Sequence, residues 1–102
     1  MIHVVAIVTT QPGQREAVLK AFQANRPNVL AEPGCIEYEA TVDFVPVLAF
    51  QTELGPETIM VVEKWESAEA VEAHAAAPHM ASYRARTRDM IASRVIHVMT
   101  PA

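Results

Sequence analysis

Three segments of this chain are largely apolar on both faces of an extended strand: Ile2 to Thr9, Thr58 to Glu66 and Val95 to Met99. Such strands must be covered on both sides, because apolar surface left in water is unfavourable. Residues 36–44 alternate instead, with apolar side chains at the even positions and polar side chains at the odd positions. This segment predicts a strand with one solvated face near a sheet edge.

Two helical regions separate the strands. The first begins at about Gln14 and contains Pro27, which we expect to kink or interrupt it. The second runs from Ser67 to about Ile91 and is punctuated at Pro78. The resulting order, β-α-β-β-α-β, is that of the ferredoxin-like α+β sandwich. Because 102 residues have room for one core, we expect a single domain over residues 1–102.

Two helices can cover only one face of a four-stranded sheet, yet three of the predicted strands are apolar on the second face as well. A second copy of the same sheet is the simplest partner for that face. We therefore predict a homodimer whose two sheets pack into a barrel-like core, a dimeric α+β barrel. Between the second and third strands, Val45 to Glu57 predicts a long loop, with room for a short strand at 47–50 and a natural position for a lid.

The net charge and its distribution along the chain limit which kinds of partner we expect it to bind. A formal net charge of −4 argues against nucleic-acid binding, which needs a concentrated basic surface. Residues 32–72 hold ten acids and one base, whereas residues 84–94 hold four arginines and one aspartate. Two solvated faces of opposite sign are the simpler explanation, with a subunit contact or an anionic substrate as the alternative.

The positions of cysteine and glycine limit which kinds of site and which cellular location we expect. The single cysteine, Cys35, excludes an internal disulfide and suits a reducing cytoplasm. The apolar start of the chain is too short to span a bilayer and lacks a basic leader, so we expect a cytoplasmic protein without a membrane segment. The three glycines are isolated and form no phosphate or dinucleotide loop. We expect neither a metal site nor a tightly bound organic cofactor.

Trp65 and Glu63 share one face of the third predicted strand. The tryptophan either packs in a core or interface, or forms an aromatic wall for a flat substrate. The carboxyl of Glu63 on an apolar face must be paired, protonated or beside a wet cavity. Desolvation there would raise its pKa toward the range of a general base, whereas a salt bridge to an arginine of residues 84–94 is the alternative.

Histidine and tyrosine supply the other candidates. His74 falls on the helical face directed at the sheet, either as a hydrogen-bonded core residue or as a base. His79 follows Pro78, which separates the two histidines onto different faces, so metal ligation has weak support. Tyr38 and Tyr83 are either core residues or donors to a phenolic oxygen.

Three groups of residues carry a family resemblance: residues 32–39 (EPGCIEYE), residues 63–67 (EKWES), and His74 with residues 78–80 (PHM). They resemble the antibiotic biosynthesis monooxygenase (ABM) family of dimeric α+β barrels, over almost the whole chain. Residues 41–43, Phe50 with Gln51, and the run from Ile59 to Met80 look like its quinol monooxygenase branch.

The resemblance implies oxidation of a small aromatic diol by O₂ without a cofactor, giving a quinone or hydroxyquinone. A base, Glu63 or His74, deprotonates the quinol, and the resulting anion reduces O₂ by one electron. His79 or a tyrosine stabilises the phenolate oxygen, and Trp65 helps to form the wall of an apolar slot. The expected substrate contacts are made by Trp65, Tyr38, Tyr83 and Phe50.

Two other functions compete with this interpretation. One is an isomerase or related enzyme acting on a small signalling metabolite, phosphorylated or not, which requires arginines that converge on the pocket. The other is a non-catalytic dimeric binding or stress-response module, which the absence of a cavity beside Trp65 and Glu63 would favour.

Overall fold

Four antiparallel strands form one sheet in the order β2-β3-β1-β4, with the helices against one of its faces. The computed structural model describes residues 1–102. A 3₁₀ turn over Arg88–Met90 precedes the last strand. The other elements are β1 (Ile2–Thr10), α1 (Arg15–Leu30), β2 (Cys35–Thr41), β3 (Thr58–Trp65), α2 (Ala68–Ala76), α3 (Pro78–Thr87) and β4 (Ile91–Met99). The α+β class and the ferredoxin-like order are therefore confirmed.

The core lies between the sheet and the helices. On β1, Val4, Ala6 and Val8 alternate into it, and β3 contributes every second residue from Ile59 to Trp65. From α1, the side chains of Val18, Ala21, Phe22 and Val29 meet this face of the sheet. Every second residue of the strands and the residues on one face of α1 are therefore buried together in one apolar layer.

Several element boundaries differ from the sequence prediction. Strand β2 ends at Thr41, where its ladder with β3 ends at the Thr41–Met60 pair, although the alternation continues to Phe44. The carboxylate of Asp43 instead accepts hydrogen bonds from the backbone N–H groups of Leu54 and Gly55. Those bonds fold residues 42–57 into a loop, and no strand forms at residues 47–50.

The start of β4 also differs from the sequence prediction, and Pro27 does not interrupt its helix. Strand β4 begins at Ile91, four residues before the predicted start, because its ladder with β1 extends through a register shift near Thr10. Helix α1 runs to Leu30 without interruption at Pro27, and the backbone N–H of Ala31 still donates to the Pro27 carbonyl.

The second face of the sheet carries apolar side chains that no helix covers. Its members are half-buried or exposed, with Val95 49% exposed and Met99 42% exposed on β4. Opposite them in the β1 ladder lie Ile7 and His3. Packing of this face against a second copy stays a prediction. None of the helices combines the length and hydropathy that crossing a membrane requires.

Candidate active site

A cavity of about 150 Å³ lies between the helix-facing side of the sheet and the helices. It opens at the β4 edge, where Ile96 and Val98 line it and are 58% and 60% exposed. Its lining is mainly apolar, and an apolar cavity of this volume holds one aromatic ring. The polar and charged residues of the lining are Tyr38, Glu63, His74, Tyr83, Arg84 and Arg94.

Glu63 is held inside this lining by Trp65. The indole Nε1–H donates to Glu63 Oε1 at 2.9 Å, and both residues point to the same side of β3. Trp65 is fully buried and lies behind the cavity instead of forming its wall. The indole therefore orients the carboxyl that faces the ligand space.

The environment of Glu63 changes its acidity. Burial raises the pKa of this carboxyl, and the Trp65 hydrogen bond and the nearby His74 oppose that rise. The alternative, a salt bridge between Glu63 and an arginine of residues 84–94, does not form. A carboxyl with a raised pKa and an open side toward the cavity is suited to exchange a proton with a substrate.

His74 is fixed by two neighbours. Its Nδ1 lies 2.8 Å from Glu32 Oε2, and its ring packs against Trp65 with centroids 4.7 Å apart. Helix α2 carries it over the sheet and begins at Ser67, whose side chain accepts a hydrogen bond from the Ala70 N–H. When the Glu32 carboxylate accepts from Nδ1–H, Nε2 of the neutral ring remains an acceptor, which is the arrangement of an oriented base.

Glu32 was not singled out from the sequence. It opens the EPGCIEYE motif of residues 32–39, but it lies 42 residues before His74, and nothing in the motif shows that it contacts that histidine. Gly34 brings it into place: its φ is +84°, and a Cβ there would lie 2.7 Å from Ala70 Cβ. The α1–β2 turn therefore packs closely on α2, and the backbone N–H of Glu66 donates to the Gly34 carbonyl at 2.9 Å.

His79 lies near the same Glu32 oxygen as His74. Its Nε2 is 3.6 Å from Glu32 Oε2, which is longer than a hydrogen bond, and neither ring nitrogen has a hydrogen-bond partner. The ring does not line the cavity. His79 therefore contacts the Glu32 carboxyl of the Glu32–His74 pair.

Two phenols line the cavity beside an aromatic neighbour. The Tyr38 ring stacks on Phe22 at 4.9 Å, and Tyr83 meets the same ring edge-on at 6.4 Å. Burial raises the pKa of both tyrosines, so both remain protonated at neutral pH and able to donate hydrogen bonds. Phe50 is 87% exposed in the β2–β3 loop and lies outside the lining.

Comparisons with known proteins agree with this fold. A family model described as antibiotic biosynthesis monooxygenase matches residues 1–86. The protein "Probable quinol monooxygenase YgiN" of Escherichia coli K12 is 37% identical over 103 residues, which cover 99% of this chain and 98% of that relative. The protein of the same name in Shigella flexneri matches to the same extent.

Solved structures share the architecture at lower identity. Rv0793 from Mycobacterium tuberculosis has a TM-score of 0.80 at 22% identity, covering 99% of this chain and 93% of that one. A conserved protein from Methanosarcina mazei has a TM-score of 0.84 at 18% identity, covering 99% and 92%. The family match and the full-length relatives together show that this chain belongs to the antibiotic biosynthesis monooxygenase family.

Proposed function

We propose that this protein is a cofactor-independent monooxygenase that oxidises a quinol or related polyphenol with O₂. Its family and the similarity to YgiN support an oxidoreductase of the monooxygenase type. The observation that carries the quinol assignment is an apolar cavity for one aromatic ring, with Glu63 and the Glu32-bound His74 in its lining. Those groups suit the removal of protons from an aromatic diol.

Binding of the substrate ring excludes water from the reaction. The aliphatic lining of β1 and β4 surrounds the ring edge, and the aromatic group of Phe22, Tyr38 and Tyr83 lies beside it. A quinol anion is a stronger reductant than the neutral quinol, because its negative charge raises the energy of the ring electrons. Loss of the hydroxyl proton is therefore the step that the protein controls.

His74 is the base in this scheme. Glu32 holds Nδ1–H, so Nε2 takes the proton, and the carboxylate stabilises the positive charge that develops on the ring. Glu63, oriented by the Trp65 N–H, receives or returns the second proton of the diol. A neutral phenol, Tyr38 or Tyr83, donates a hydrogen bond to the phenolate oxygen.

Oxidation then proceeds by electron transfer to O₂. The quinol anion gives one electron to O₂, and the semiquinone and superoxide recombine at a ring carbon. Loss of water from the resulting hydroperoxide leaves a hydroxyquinone. One quinol and one O₂ thus yield one hydroxyquinone and one H₂O, with one oxygen atom of O₂ in each product and four electrons taken from the organic molecule.

A homodimer in the cytoplasm is the proposed working form. The uncovered apolar face of the sheet, which includes Val95 and Met99, supports sheet-to-sheet packing.

The test begins with metal-free protein and a panel of quinols, including menadiol and hydroquinone, mixed without oxygen. Admission of ¹⁸O₂ starts the reaction, and mass spectrometry of the product is compared with a buffer control. We expect faster turnover than in buffer and one ¹⁸O atom per hydroxyquinone. Turnover no faster than buffer across the panel contradicts the proposal, and tight binding without turnover supports the non-catalytic module instead.

A further inference from the structure

Two arginines join the cavity to a second, open groove. The groove has a volume of about 400 Å³ and is lined by Arg84, Ala85, Arg88, Ile91 and Arg94. Of these, Arg84 and Arg94 also line the cavity. They therefore stand where the buried ligand space meets solvent.

The charges of these two arginines are not neutralised within the chain. The Arg84 guanidinium donates to the Ala75 carbonyl at 3.1 Å, which fixes its position across the junction of α2 and α3 without cancelling its charge. Neither Arg84 nor Arg94 forms an ion pair, and the groove lining includes no acid. Arg88 lies 3.8 Å from its exposed neighbour Asp89, a contact of little energetic value.

The arginines and the proposed proton-transfer groups lie toward different ends of the cavity. In the β1 ladders, Arg94 lies opposite Val8 and Glu63 lies opposite Val4. Four residues along a strand correspond to about 13 Å. A ring placed between them has its reactive hydroxyl toward Glu63 and its far edge toward the guanidinium groups.

We propose that Arg84 and Arg94 bind an anionic substituent, a carboxylate or a phosphate ester, on the aromatic substrate. This inference rests on the proposed function for the identity of the ring, and it narrows the substrate class to acidic quinols. Guanidinium groups suit this task, since their planar donors bind carboxylate and phosphate oxygens in pairs. An anion at the solvent end also leaves the apolar part of the cavity for the ring.

Calorimetric titration without oxygen tests the inference separately from catalysis. The probes are hydroquinone, its carboxylate 2,5-dihydroxybenzoate, and the pair benzoate and phenyl phosphate, which distinguishes the two anion classes. The variants are Arg84→Gln and Arg94→Gln. The control is Arg86→Gln, an exposed position on the same helix that lines neither space.

We expect the unsubstituted protein to bind 2,5-dihydroxybenzoate at least about tenfold more tightly than hydroquinone, as one charge-assisted hydrogen bond would provide. Each of the two variants loses about tenfold in affinity for the acid and little for hydroquinone. Arg86→Gln leaves both affinities unchanged. Tighter binding of phenyl phosphate than of benzoate, or the reverse, identifies the preferred anion.

Equal affinities for the acid and hydroquinone overturn the inference, as does an equal loss in Arg86→Gln. Conversion of a dimer to a monomer by Arg84→Gln or Arg94→Gln, measured by light scattering, also overturns it and assigns the arginines to a subunit contact. Anion preference without O₂-dependent turnover contradicts the proposed function alone. Turnover of neutral quinols without anion preference contradicts this inference alone.

Discussion

The indole Nε1–H of Trp65 donates a 2.9 Å hydrogen bond to Oε1 of Glu63, two residues earlier on the same strand. The bond stabilises the ionised carboxyl, whereas burial favours the protonated form. The acidity of Glu63 is thus set by two opposing effects that a substitution can separate.

Trp65→Phe removes the donor and keeps an aromatic ring in the core. We expect the pKa of Glu63 to rise further, because the ionised form loses its hydrogen bond while burial remains. Carbon-13 NMR titration of labelled glutamate side chains measures this directly, and Glu63→Gln assigns the resonance. An unchanged or lower pKa in Trp65→Phe contradicts the prediction.

Glu63→Gln changes how stability depends on pH. Since the folded pKa of Glu63 is raised above the unfolded value, the folded state holds its proton more strongly. The contribution of Glu63 is therefore most favourable below the unfolded pKa and is lost as pH rises through the folded pKa. Each pKa unit of difference between the folded and unfolded states corresponds to about 1.4 kcal/mol in the free energy of unfolding.

Urea unfolding at a series of pH values upward from about 4, near the pKa of an unfolded glutamate, measures the effect. We expect Glu63→Gln to gain stability relative to the unsubstituted protein as pH rises. Glu53→Gln, at an exposed position that forms no ion pair, is the control for the loss of one carboxyl charge. A Glu63→Gln difference that stays flat, or that changes in the opposite direction, contradicts the raised pKa.

Glu32→Gln tests the role of the carboxylate that holds His74. The amide keeps the size of the side chain and removes the charge that stabilises a protonated ring. We expect kcat for quinol oxidation to fall about tenfold, and His74→Ala to reduce it by about 10²-fold or more, as loss of a general base does. Glu72→Gln, exposed on the same helix as His74, is the control. Unchanged turnover in His74→Ala, with the fold intact by circular dichroism, assigns the base elsewhere.

Local patterns predicted the parts of this site that depend on one element. Two-residue spacing put Trp65 and Glu63 on one strand face, and helical spacing directed His74 at the sheet, where it is buried. The Glu32–His74 contact depends on how the α1–β2 turn packs against α2, and a periodic pattern within one element cannot predict that packing. The end of β2 was mispredicted for a similar reason, because alternation through Phe44 cannot show that the Asp43 carboxylate binds the backbone of Leu54 and Gly55 in the following loop.

Gly34→Ala tests the packing that brings Glu32 to His74. An alanine would be strained at φ +84°, and its Cβ would lie 2.7 Å from Ala70 Cβ. We expect a loss of about 2–3 kcal/mol in the free energy of unfolding, measured with urea. Gly13→Ala, with φ +78° and no atom within 4 Å of the added Cβ, is the control for strain alone and should lose about 1 kcal/mol. Equal losses at the two glycines contradict a role for the close approach to α2.

Ile7→Lys tests the proposed dimer. Ile7 lies on the sheet face that the helices leave uncovered, opposite Val95 in the β1–β4 ladder. A lysine there can extend its ammonium group into water in a monomer, but would have to be desolvated between two packed sheets. We expect a dimer for the unsubstituted protein by light scattering at micromolar concentration, and a folded monomer for Ile7→Lys. Glu16→Gln, on the first turn of α1, raises the net charge by one as Ile7→Lys does, but away from this face, and should remain a dimer. A monomeric unsubstituted protein, or a variant that still dimerises, contradicts sheet-to-sheet packing.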